Sequence, residues 1–198
     1  MEKFDWTKFL HEFNSVLFEL YKLEQLEQGE DVLDISYLRP GAIVEEIAAA
    51  EDRLGVQLPP SYKAFLRVSN GFEWPEAGAG AQVGKLLSTK KIEWLSSYAP
   101  EWIEIYGGDD ISYEEHLKNQ AKGGSRYKGR YLEKCLVISA TGDACIALLC
   151  PEVVTSEGEW EFWRLGSWCG ADRWPSFQDW MTDNYQRYYR EAYAWRDE

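Results

Sequence analysis

A chain of 198 residues is long enough for one full domain with a sizeable core, and no apolar run reaches the roughly 18 residues that a bilayer span needs. The formal charge of -13 argues against a nucleic-acid backbone as partner, and an aromatic content of 15% requires a ring-rich core or surface. Met1-Glu-Lys-Phe-Asp-Trp6 lacks the basic head and apolar body of a secretory signal, so a cytoplasmic protein that does not act on membranes is expected.

Asp5 predicts the cap of a first helix in which Phe9, Phe13, Val16, Leu20 and Leu23 form one apolar line and Trp6, Leu10 and Leu17 a second. Gly29 ends it, and residues 30–39 read as an acidic, irregular connector. Pro40-Gly41 opens a second helix that carries Ile43, Ile47, Ala50 and Leu54 on one face and stops at Gly55. Pro59-Pro60 starts a third through Tyr62, Phe65 and Leu66, because proline is tolerated in a first turn, and Asn70-Gly71 ends it. Two amphipathic helices this short are expected to pack side by side.

Residues 75–84 read as a loop and Lys85–Leu87 as a short strand. A helical turn at Ile92, Trp94 and Leu95 stops at Pro100, a short element follows over Glu101–Tyr106, and Gly107–Asp110 is a turn. Lys118–Lys134 holds six basic residues against Glu133 and reads as a solvated loop; its Gly123-Gly124-Ser125 lacks the spacing of a phosphate loop. Leu136–Ile138 and Ala144–Cys150 predict a hairpin around Thr141–Asp143, ended by Pro151. After a turn at Ser156–Gly158, Glu159–Trp163 alternates polar and aromatic residues as a half-buried strand does, and Gly166–Trp174 is a glycine-rich connection. Ser176 caps a closing helix with Phe177, Trp180, Met181, Asn184 and Tyr188 inward. Tyr185, Tyr189, Tyr193 and Trp195 make its tail aromatic. Helices, then a sheet, then a helix define an α+β fold.

Four cysteines (Cys135, Cys145, Cys150 and Cys169) form no C-x-x-C pair, and His11 and His116 have no evident orienting carboxylate, so no metal, cofactor or catalytic residue is nominated. Cys145 and Cys150 lie in an apolar run and are expected as small buried hydrophobes. Glu157, Glu159 and Glu161 fall on one side of the expected strand, about 7 Å apart. Paired carboxylates serve acid–base or metal chemistry, but a solvated strand face gives the same pattern.

Two stretches together resemble the SUKH superfamily. The first runs from Ile47 through Glu51, Leu54-Gly55, Leu58-Pro59, Tyr62 and Phe65-Leu66 to Asn70-Gly71. The second runs from Leu148 through Pro151, Gly158 and Trp160 to Ser176-Phe177. The resemblance covers residues 40–182 of a single domain; it leaves out an N-terminal helical extension, 1–38, and the aromatic tail, 183–198. Cys150 stands where the resemblance implies an asparagine before Pro151.

The resemblance implies a binding scaffold in which these motif residues build the fold. Many members act as immunity proteins that bind and neutralise a polymorphic or contact-dependent toxin, often a nuclease, and a eukaryotic branch is tied to cell-wall synthesis. A protein partner, a cognate toxin domain of basic character, is therefore expected, with no nucleic acid. Asp109, Asp110, Glu114, Glu115, Glu157, Glu159 and Glu161 are the candidate contacts for its phosphate-binding cleft, and Trp168 and Trp174 the candidate aromatic contacts. The alternatives are a regulatory or scaffolding domain without a toxin and, less favoured, a carbohydrate-binding module or enzyme.

Overall fold

The computed structural model describes residues 4–75, 83–108, 111–120, 126–167 and 170–194. Helix α1 (Trp6–Gln28) starts where the Asp5 carboxylate accepts the Lys8 N–H at 3.0 Å. It ends at Gly29, whose φ of 70° is the left-handed geometry that lets the Glu30 N–H reach Gln25 O. The core-facing line is Trp6, Leu10, Phe13 and Leu17, with Phe9 and Leu20 half-buried beside it.

Helix α2 (Val44–Leu54) begins later than the Pro40-Gly41 expectation. The reason is local: residues 40–42 lie across the end of the next helix, where Ala42 N–H donates to Leu66 O and Pro40 O accepts from Asn70 N–H. A Cβ at Gly41 would sit 2.0 Å from Arg67 O, so only glycine permits that approach. Helix α3 (Pro60–Val68) packs against α2. The Glu51 carboxylate joins the pair, accepting the Leu58 N–H at 2.8 Å and the Lys63 ammonium at 3.0 Å.

Strands β1 (Glu93–Trp94), β2 (Leu136–Val137), β3 (Cys145–Val154), β4 (Trp160–Gly166) and β5 (Gly170–Trp174) form an antiparallel meander in that order. The expected hairpin between β2 and β3 is present. Its turn places Asp143 and Ala144 at φ 44° and 54°, as a two-residue primed turn requires. Pro151 does not end the strand: β3 runs on to Val154 across an irregularity between Cys150 and Val154, a position where a missing N–H is tolerated. Lys85–Leu87 forms no strand; Leu86 makes isolated bridges to Phe72 and Ser139.

Both faces of the sheet are covered. On one, helix α7 (Phe177–Tyr193) stacks Trp180 on Phe162 of β4 with ring centroids 4.1 Å apart, and Phe177 meets Tyr62, Phe65 and Trp6. Helix α1 lies against α7 and α3 and closes that layer with Phe13 among Phe72, Trp74 and Tyr188. On the other face lie helices α4 (Leu95–Tyr98), α5 (Pro100–Tyr106) and α6 (Tyr113–Gln120) and a 3-10 helix, Gly129–Lys134. The basic stretch is therefore not a solvated loop where it is described. Tyr131 and Leu132 are buried, and buried Lys128 donates from Nζ to Ile111 O at 2.7 Å. Cys135, Cys145 and Cys150 are buried, as small hydrophobes would be.

Candidate partner interface

The sequence offers its carboxylates as a group, but the fold assigns them different work. Glu161 is fully buried on the α6 side of β4, which corrects its expected place on a partner-facing edge. Its Oε1 accepts from Arg173 Nη1 at 3.0 Å and from Gln120 Nε2; its Oε2 accepts from Trp163 Nε1 at 2.6 Å and lies 2.9 Å from His116 Nε2. His116 Nδ1 accepts the Lys128 N–H at 3.0 Å, and its Nε2, beside Glu161, also lies 2.6 Å from Arg173 Nη1. Arg173 also donates to His116 O at 2.7 Å. Burial pushes the Arg173 guanidinium down from its ordinary range, opposed by the Glu161 carboxylate. A buried carboxylate this fully satisfied is a clamp that fastens α6 to β4 and β5.

Glu159 is likewise occupied. It spans 98 residues of sequence to bind Ser61 at the start of α3, accepting from the backbone N–H at 2.8 Å and from Oγ at 2.6 Å. Glu157 is exposed in the turn before β4. The three residues therefore do not share one solvated strand face. Trp174 belongs to β5 rather than to a glycine-rich connection, and is half-buried edge-on against Phe162 with the Arg164 guanidinium 5.9 Å from its ring. Trp160, Trp163 and Trp180 are core residues. Asp109, Asp110 and Trp168 lie outside the described residues.

Glu114 and Glu115 lie in the first turn of α6, Glu114 exposed and Glu115 paired with Arg126 at 2.7 Å. They belong to a longer acidic region. From Ile92 to Leu117 the sequence holds Glu93, Glu101, Glu104, Asp109, Asp110, Glu114 and Glu115 and no lysine or arginine. Among the described residues Glu101, Glu104 and Glu114 make no ion pair, while Ile105 is 66% exposed and Tyr113 48% exposed. A second cation-free run, Leu23–Leu38, carries Glu24, Glu27, Glu30, Asp31 and Asp34, with Leu26 60% and Leu33 62% exposed. Sequence reading placed Leu23–Gly29 at the end of the first helix and residues 30–39 in a connector, and nominated neither; the signal was leucines among carboxylates.

Among the described residues no group of three His, Cys, Asp or Glu side chains is placed to hold a metal ion, and no helix is long and apolar enough to cross a membrane. Residues 41–183 match the family model described as the SMI1 / KNR4 family (SUKH-1). No curated protein matches the chain.

Proposed function

The chain belongs to the SMI1 / KNR4 (SUKH-1) family, and on that premise we propose that it is an immunity-type binding protein: it occludes a basic partner domain, of the kind found in nuclease toxins, and performs no chemistry itself. The observation that carries this reading is the coincidence, in the cation-free run Leu23–Leu38, of exposed Leu26 and Leu33 with carboxylates that make no ion pair among the described residues. Apolar contact supplies affinity by removing surface from water. The surrounding negative field speeds the approach of a cationic partner and disfavours acidic ones. Half-buried Glu159 and buried Glu161 contribute by holding the scaffold rigid rather than by contact.

The test is co-expression. The toxic C-terminal domain encoded by the adjacent open reading frame is produced with and without this chain, and growth is followed. Rescue is expected; a domain that stays toxic in the presence of folded chain overturns the proposal. The same fold serving as a regulatory scaffold would bind a non-toxic partner and rescue nothing.

A further inference from the structure

We propose that the contact surface for the basic partner is the return strap of residues 26–34, together with the end of α1 from which it emerges; this rests on the reading that the chain binds such a domain. After Gly29 the backbone turns and runs back along α1. The Leu33 N–H donates to Tyr21 Oη at 3.3 Å, and further on the Tyr37 N–H donates to Asn14 Oδ1 at 2.9 Å. Those two bonds fix the direction of the strap against the helix, and Tyr37 is buried as its anchor.

Ahead of the Tyr37 anchor the strap is open: every residue from Leu26 to Asp34 is exposed, including Val32 beside the two leucines. None of these side chains fills the core, and all lie outside the family match at 41–183, so the shared scaffold does not account for them.

Charge selects the occupant. Glu27, Glu30, Asp31 and Asp34 stand within eight residues, and among the described residues none of them makes an ion pair. Four neighbouring carboxylates repel one another in the free chain, and a cationic surface relieves that repulsion as it desolvates the leucines. The matching partner surface is a lysine- and arginine-rimmed cleft that seats Leu26 and Leu33. The α4–α6 region is the contrasting surface, because its Glu93 and Glu115 are already neutralised by Arg53 and Arg126 and its α6 is clamped to the sheet through His116.

The experiment uses the full chain and the toxin domain that it neutralises. Leu26→Ser with Leu33→Ser, and separately Glu27→Lys with Asp31→Lys and Asp34→Lys, are compared with Glu101→Lys plus Glu104→Lys as the control on α5. Each strap variant is expected to weaken Kd by about 100-fold or more, as loss of central contacts does, with near-ultraviolet circular dichroism unchanged because no core residue is altered. The α5 control is expected to stay within about threefold. Strap variants that bind like wild type while the α5 variant loses binding overturn this surface and leave the proposed function standing. A wild-type chain that neutralises no domain overturns both. Strap variants that change self-association, measured by sedimentation, and not toxin binding assign the strap to a second copy of the chain and overturn the proposal.

Discussion

Glu159 and Ser61, 98 residues apart in sequence, are joined by two hydrogen bonds that place a carboxylate at the first turn of α3. The residue that leads into β4 thereby caps the helix: Ser61 sits where an N–H has no intrahelical partner, and the negative charge meets the positive end of the helix dipole. Glu159→Ala is expected to lower stability in urea by about 2 kcal/mol, and Glu159→Gln by less because the amide oxygen still accepts. Equal losses for the two variants would show that side-chain packing rather than capping is at work.

Glu161 and Arg173 make a stronger prediction. Either Glu161→Gln or Arg173→Met leaves a charged or polar group buried without its partner, at a cost of about 3–5 kcal/mol. The double variant is expected to lose well under the sum of the two, and the denaturation cycle reads the coupling directly. Additive losses would contradict a clamp.

Helix α1 lies outside the family match yet supplies Leu10, Phe13 and Leu17, all fully buried. Phe13→Ala is expected to cost about 3–5 kcal/mol, a core value, in thermal or urea unfolding. A loss below about 1 kcal/mol would mark α1 as an appendage.

Tyr62 is fully buried, and among the described residues its hydroxyl has no hydrogen-bond partner. Burial pushes its ionisation well above the ordinary tyrosine range. The folded state therefore keeps a proton that the unfolded chain gives up near pH 10, so stability falls as pH rises beyond that point. Tyr62→Phe removes both the unpaired hydroxyl and this contribution. It is expected to be neutral or stabilising by about 1 kcal/mol at pH 7 and to flatten the decline above pH 10, measured by denaturant midpoints across pH. A markedly destabilised variant would show that the hydroxyl is satisfied in solution.

The helical part of the fold was legible in the sequence because its signals are local. Asp5, Gly29, Gly55, Pro59 and Ser176 each act within a turn of the helix end they define. β5 and α6 were not legible, for one shared physical reason. Gly170-Ala-Asp-Arg-Trp174 and Tyr113-Glu-Glu-His-Leu-Lys-Asn-Gln120 lack apolar periodicity because their inward positions are Arg173, His116 and Gln120. Arg173 and His116 are buried and Gln120 half-buried by pairing with Glu161, and pairing across elements leaves no hydrophobic pattern to read. The same pairing took Glu161 out of the candidate interface, while the Leu26–Asp34 strap passed unnoticed because charge alone does not distinguish a solvated connector from a docking edge.

Occlusion of a basic partner by an acidic, apolar-studded surface has a direct kinetic signature. Titrating the purified toxin domain's activity with this chain, at low and at high salt, tests it most directly. Activity is expected to fall to zero at one equivalent in low salt, with slower association and weaker inhibition as salt rises. Full activity in the presence of excess folded chain would contradict it.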